Sequence, residues 1–193
     1  GSSWATSPAA ASAPGATNNV YIRTGTTVTA AFGSQYFCQN LFVEAGGRLY
    51  NNNTGATNLS YVHVLGAAPG YTGQIVCDGQ IGNGATLDGI SFSIDGANVT
   101  LSGTGTVDVA RIRKTLVAHP TTLAALTTTN FTIARNVNLR FSSGSTTMLY
   151  NGASGACNFN VTINAGVTVT LVGAGYGNVS LDGVAGADPI QLG

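Results

Sequence analysis

The amino-acid sequence predicts an all-β protein whose strands are wound into a parallel β-solenoid (parallel β-helix) of about six irregular coils with looped insertions. Three observations support this fold class. One short phrase with alternating apolar residues recurs along the chain, strand-favouring residues fill its copies, and no segment sustains a helical period. Composition divides the chain into residues 1–18, expected to be a flexible N-terminal arm or linker, and residues 19–193, the solenoid domain.

The recurring phrase reads Asn, apolar, x, apolar, x, x, Gly or Asn, x, x, apolar. Residues two apart on a strand point to the same side, so the paired apolar residues predict a core face. Gly and Asn tolerate the positive φ of a turn, which places a turn between two short strands. The leading asparagines of the four clearest copies are Asn19, Asn40, Asn130 and Asn160. The turn residues of the same copies are Gly25, Gly46, Asn136 and Gly166.

The spacing of the copies favours a solenoid over a Greek-key sandwich. Looser copies are placed at 61–64 and 91–101, and the steps between copies are then 21, 21, 30, 39 and 30 residues. A solenoid repeats one phrase per coil of ~20–30 residues, whereas a sandwich gives turn signals every ~8–12 residues. The longer steps predict insertions at 67–84 and 116–129, and the second has the composition for one short helical turn.

The leading asparagines have two interpretations. In a stack of coils they would lie above one another and hydrogen-bond between neighbouring coils as an asparagine ladder. The alternative is four ordinary turn asparagines.

Two of the phrases carry a family resemblance. Residues 19–28 (Asn-Val-Tyr-Ile-Arg-Thr-Gly-Thr-Thr-Val) and 38–49 (Cys-Gln-Asn-Leu-Phe-Val-Glu-Ala-Gly-Gly-Arg-Leu) resemble secreted and cell-surface proteins of Bacteroidota. Those proteins carry Asn-Leu-x-Ile-x-x-Gly-x-x-Leu coils of a right-handed parallel β-helix and are commonly exported by the type IX route. The resemblance covers about residues 19–183. It implies an extracellular or cell-surface location and adhesion, coat or filament roles, and it transfers no catalytic residue.

Composition argues against several classes of partner. Seven Lys and Arg balance seven Asp and Glu, and only 7% of residues are charged, against roughly a quarter in ordinary soluble domains. Because the chain has too few positive charges to neutralise phosphates, no nucleic-acid partner is expected. The cationic cluster Arg111–Lys114 is expected to be the solvated face of a strand. No apolar run reaches the ~20 residues that a membrane-spanning helix needs.

The cysteines allow two interpretations. None has the CxxC spacing of a zinc ligand pair, and no metal or other cofactor is expected. A disulfide between two of Cys38, Cys77 and Cys157 would leave one thiol for pairing between chains. The alternative is that all three are small buried apolar residues.

The sequence predicts no enzyme. Glycoside cleavage needs two carboxylates roughly 5–10 Å apart, and Asp88, Asp95 and Asp108 are the acids that a solenoid could bring to one face. They are expected beside glycine or in turns, where Asp commonly makes local hydrogen bonds. His63 alternates with valines, so it is expected to face solvent, and it has no Ser, Asp or Cys partner nearby in sequence.

Two surface patterns raise binding hypotheses. Alternating threonines occupy matching parts of two phrases, as in ice-binding solenoids, but charged and bulky residues interrupt the row in other copies. The threonines are Thr27, Thr29, Thr168 and Thr170, and the interrupting residues are Arg48, Tyr50, Asn138 and Arg140. Four tyrosines form a candidate glycan-stacking patch, against the alternative of scattered surface residues. They are Tyr21, Tyr36, Tyr50 and Tyr61.

Two functions follow from this reasoning. The first is an extracellular structural protein, a subunit that assembles with copies of itself into a surface filament or coat. Low net charge favours it, because little repulsion keeps the copies apart. The second is a carbohydrate-binding or adhesive module of a larger surface protein, with a glycan as partner.

Overall fold

The computed structural model describes residues 14–31, 33–51, 59–82, 90–114, 126, 128–142, 147–151, 158–171, 180–183 and 191–192. Within these residues the regular structure consists of nineteen short strands, and there is no helix. The first ten are β1 Asn19–Ile22, β2 Thr27–Ala30, β3 Gln35–Cys38, β4 Asn40–Val43, β5 Arg48–Asn51, β6 Ser60–Val64, β7 Thr72–Cys77, β8 Gln80–Ile81, β9 Ile90–Ile94 and β10 Asn98–Ser102. The others are β11 Thr106–Val109, β12 Arg111–Lys114, β13 Thr128–Ile133, β14 Asn138–Phe141, β15 Thr147–Asn151, β16 Asn158–Ile163, β17 Thr168–Leu171, β18 Ser180–Gly183 and β19 Gln191–Leu192.

The strands form three parallel sheets, and each strand pairs with the strand three places later. The first sheet has the order β1-β4-β7-β10-β13-β16-β19, the second β2-β5-β8-β11-β14-β17 and the third β3-β6-β9-β12-β15-β18. Consecutive strands therefore lie in different sheets, and three of them, one per sheet, make one coil. The predicted all-β parallel solenoid is confirmed.

The core lies inside the three sheets. Strands alternate exposed and buried residues, as in β1 and β2, because successive side chains point to opposite sides of a strand. In the first sheet Leu41, Ile75, Leu101 and Ile133 follow one another in register, and each is fully buried. Burying such a side chain stabilises the fold by about 1.5–3 kcal/mol, so the stacked apolar columns are its main support.

The spacing of the copies wrongly places two looser ones, those that contain Val64 and Ile94, in the same sheet as the four clearest copies. Val64 and Ile94 lie in the third sheet, where Cys38, Val64 and Ile94 are in register. The first-sheet strands of those coils are β7 and β10. The error has a simple cause: every sheet has the same two-residue alternation, so alternation alone does not say to which sheet a strand belongs.

The predicted insertions change accordingly. The segment 67–84 is not a loop, because it contains β7 and β8. Of 116–129, only 126, 128 and 129 are described, and β13 begins at Thr128. The helical turn suggested there lies outside the described residues.

Candidate functional site

The leading edge of the solenoid, defined as β1, β2 and β3, has a neighbouring strand on one side only among the described residues. Glu44 N–H donates to the carbonyl of Ile22, and Arg48 N–H to that of Thr26. Since alternate residues of a strand direct their backbone groups to opposite sides, the groups of Asn19, Tyr21, Thr27 and Thr29 point away from the second coil. In β1 and β2 the leading edge therefore offers backbone donors and acceptors that no described strand uses.

The core-facing apolar side chains at the leading edge are already covered. Val20, Val28 and Tyr36 are buried, and the Ala31 N–H donates to the Tyr36 hydroxyl oxygen at 2.6 Å. Pro14 lines a small apolar gap with Val20 and Tyr36. This edge therefore offers backbone groups, polar side chains and Tyr21, which is 41% exposed.

The leading asparagines lie in register on the outer face of the first sheet. Asn40 Nδ2 donates to Asn19 Oδ1 at 2.7 Å, and Asn160 Nδ2 donates to Asn130 Oδ1 at 3.0 Å. The second series begins at Asn98, whose Oδ1 accepts from Asn130 Nδ2 at 2.9 Å. Between the two series the backbone N–H of Gln74 donates to Asn40 Oδ1 at 2.8 Å.

Asn98 was missed by the sequence reasoning, which places its copy of the phrase seven residues too early, at Ser91. A signal was available. Asn98-Val-Thr-Leu matches the first four positions of the phrase, and the next strand begins eight residues after Asn98, as it does after Asn19 and Asn40.

All four phrase turn residues adopt a left-handed backbone. The φ angles are 74° for Gly25, 78° for Gly46, 67° for Asn136 and 88° for Gly166. A Cβ on Gly25 would meet nothing within 4 Å, so glycine is required there by the backbone angle and not by lack of space.

His63 is buried, which corrects the prediction that it faces solvent. Its side chain points outward from the third sheet, but that face is covered here, and His63 is 0% exposed. The ring stacks on Phe37 with centroids 4.6 Å apart. His63 Nδ1 lies 2.6 Å from Asp95 Oδ2, so a partner distant in sequence is adjacent in space.

Asp95 is the centre of a buried polar cluster formed by His63, Ser93, Asp95 and Lys114. The Ser93 hydroxyl donates to Asp95 Oδ1 at 2.9 Å, and Lys114 Nζ donates to the Asp95 carbonyl at 3.2 Å. In a Ser–His–Asp relay the hydroxyl would contact the imidazole, whereas here it contacts the carboxylate. The geometry favours a structural role, tying β6, β9 and β12 together.

The cationic cluster Arg111–Lys114 is not a solvated face. Lys114 is buried in the polar cluster, and the Arg113 guanidinium lies 3.4 Å from the centroid of the Tyr61 ring. Such a cation–π contact partly satisfies the charge in place of water. The prediction was wrong for Lys114, because it lies on the same side of β12 as the buried Ile112, whereas Arg111 and Arg113 are half-buried.

The other described carboxylates have separate partners. Asp108, in the second sheet, accepts from Arg140 and from the Ser142 hydroxyl. Glu44 accepts from Arg23, and this hydrogen bond lowers the pKa of Glu44. The candidate acids Asp95 and Asp108 thus lie in different sheets with different partners, and Asp88 lies outside the described residues.

Cys38 and Cys77 are free, buried thiols in the third and first sheets. Burial raises the pKa of both to about 12. Cys157 lies outside the described residues. In the described part of the chain, no group of three or more His, Cys, Asp or Glu side chains is placed to hold a metal ion.

The four tyrosines of the candidate glycan patch are dispersed. Tyr21 lies on the outer face of the first sheet, where it stacks on Phe42 with centroids 4.6 Å apart. Tyr36 is buried in the core, Tyr50 lies in the second sheet and Tyr61 in the third. They do not form one surface.

No known protein family matches this chain, and neither a curated protein nor a solved structure is similar to it. Over the described ranges there is also no helix long and apolar enough to cross a membrane.

Proposed function

We propose that the chain is an extracellular structural subunit that assembles with copies of itself into a surface filament or coat. The observation that carries the proposal is the leading edge, where three parallel sheets end in strands that have a neighbouring strand on one side only among the described residues. Exposed edges of this kind pair readily with another chain.

The composition of the leading edge supports the proposal. Proteins that avoid edge pairing place charges or proline on edge strands, whereas β1, β2 and β3 read Asn-Val-Tyr-Ile, Thr-Val-Thr-Ala and Gln-Tyr-Phe-Cys. None of the three contains a charged residue or proline, so the usual barrier to association is missing.

The size of the solenoid gives a reason to assemble. The six coils expected from the sequence, at ~4.8 Å per coil, would give a stack only about 30 Å tall. A longer fibre or coat would therefore be built by adding copies at the sheet edges.

Light scattering and negative-stain microscopy of the purified chain test the proposal. We expect elongated polymers. A Thr27→Lys variant, which places a charge on the leading edge, should reduce them, whereas Thr100→Lys, at an exposed position in the middle of the first sheet, should not. A chain that stays monomeric at high concentration and binds glycans on an array would refute self-assembly and favour the carbohydrate-binding alternative.

A further inference from the structure

We infer that copies of this chain associate head to tail, with β1 and β2 of one copy continuing the sheets beyond β16 and β17 of the next, so that Asn19 meets Asn160 and Thr27 meets Thr168. The inference rests on the proposed function and names its partner and register. Four features of the described residues support it.

The first feature is the direction of the asparagine hydrogen bonds. In all three side-chain pairs the later asparagine donates Nδ2 to Oδ1 of the earlier one: Asn40 to Asn19, Asn130 to Asn98 and Asn160 to Asn130. Among the described side chains, Asn19 Nδ2 therefore has no acceptor at one end, and Asn160 Oδ1 has no donor at the other. A head-to-head contact would set donor against donor, whereas a head-to-tail contact joins donor to acceptor.

The asparagine ladder runs in one direction, and its two ends are complementary for that reason alone. If every amide were turned over, the donor and acceptor ends would exchange places, and head-to-tail contact would still be the only complementary one.

The second feature is the match between the terminal strands of the second sheet. β2 reads Thr-Val-Thr-Ala and β17 reads Thr-Val-Thr-Leu. Stacked in register, they pair Thr with Thr, Val with Val and Thr with Thr, and such cross-strand pairs are favourable. Of the four strands between them, three carry other residues in the row of Thr27 and Thr168, namely Arg48, Gln80 and Asn138, and β11 carries Thr106.

The third feature is a common spacing between sheets. β2 begins eight residues after Asn19, and β17 begins eight residues after Asn160. One rigid placement of the second copy therefore puts both the first and the second sheet in register, with no stretching of the turn between them.

The fourth feature is exposed apolar surface at the far end. Val169 is 43% exposed, whereas Leu49, Ile81, Val107 and Leu139 in the same column are 0 or 1% exposed. Among the described residues, Val169 is the last of that column in the second sheet. Placing Val28 of another copy there would give it the neighbour that the others have.

The first sheet requires one exchange. β19 is two residues long and pairs Gln191 with Asn160 and Leu192 with Val161. In the proposed stack the four-residue β1 of the next copy takes the place of β19, and pairing along this edge increases.

Cysteine cross-linking tests the register, with Cys157→Ser as the background. Cys38 and Cys77 stay unreactive, because their thiols are buried with a pKa of about 12. We expect a mixture of Thr27→Cys and Thr168→Cys chains to form mixed disulfide dimers, since Cα atoms of strand neighbours lie within disulfide range. The doubly substituted chain should form linear concatemers. In the matched control, Thr27→Cys chains are mixed with Asn138→Cys chains. Position 138 lies in the same row as Thr168 but in an interior coil, so no disulfide with position 27 is expected.

The exchange of β19 is tested by mixing Asn19→Cys with Asn160→Cys chains. A mixed disulfide between positions 19 and 160 is expected. If it does not form while the disulfide between positions 27 and 168 does, the proposed contact in the first sheet is wrong. Asn19→Leu should raise the critical concentration roughly fivefold, which corresponds to one net hydrogen bond of about 1 kcal/mol.

The outcomes separate the inference from the proposed function. Two results would support self-assembly but overturn the head-to-tail register. The first is filaments that form no disulfide between positions 27 and 168. The second is a Thr27→Cys chain that mainly forms disulfide dimers with itself. Absence of both filaments and cross-links would refute both.

Discussion

A proline at position 29 is expected to block assembly without weakening the subunit. The backbone groups of Thr29 point away from the second coil, so Thr29→Pro removes no hydrogen bond among the described residues. Proline is also tolerated on edge strands. In the stack, however, it removes one donor and leaves the partner's carbonyl unpaired. That loss costs about 1–3 kcal/mol, so the dissociation constant for association should rise roughly 5- to 150-fold.

Val28→Pro is the matched control, one residue away. The backbone groups of Val28 point toward β5 and its side chain is buried, so this variant loses an internal hydrogen bond and core packing. A loss of about 3 kcal/mol corresponds to a fall of roughly 6–12 °C in melting temperature for a chain of this size. Sedimentation velocity measures assembly, and thermal unfolding followed by circular dichroism measures stability.

Two results would refute this reasoning. If Thr29→Pro assembles at the wild-type concentration, the leading edge is not the interface. If Thr29→Pro lowers the melting temperature as much as Val28→Pro, the backbone of Thr29 is paired within the subunit and the orientation of β2 assigned here is wrong.

Three further predictions concern the subunit itself. Asp95→Asn should lower the free energy of unfolding by about 3 kcal/mol in urea titrations, because it weakens the buried contact with His63. The matched change Asp78→Asn, at an exposed position, should cost under about 0.5 kcal/mol. Equal losses in the two variants would contradict the buried cluster around Asp95. Gly46→Ala should cost about 1–2 kcal/mol in the same assay, since φ is 78°, and an unchanged midpoint would mean that the turn is not left-handed. The free energy of unfolding should fall as pH rises from about 9 toward 12, because the buried thiols of Cys38 and Cys77 stay protonated in the folded state while those of the unfolded chain ionise. The check is to measure stability against pH in a variant that lacks both thiols. Its stability should stay constant over this range while that of the parent falls.

The candidate site was only partly predictable from sequence. The register positions of Asn19, Asn40, Asn130 and Asn160 follow from a phrase that repeats with constant internal spacing. The polar cluster around Asp95 does not follow, because His63 and Asp95 are 32 residues apart and meet only through the pairing of β6 with β9. Sequence order contains no information about that neighbour.

The sequence by itself determined the architecture: alternating apolar residues and turn residues that accept positive φ specify short strands with one buried face, wound in parallel. Only the tertiary structure decided which strands share a sheet, that the outer face around His63 is covered, and in which direction the asparagine amides donate. The physical reason is that periodicity records which side of its own strand a residue faces, whereas burial and hydrogen bonding depend on the strands from other coils that lie against that side.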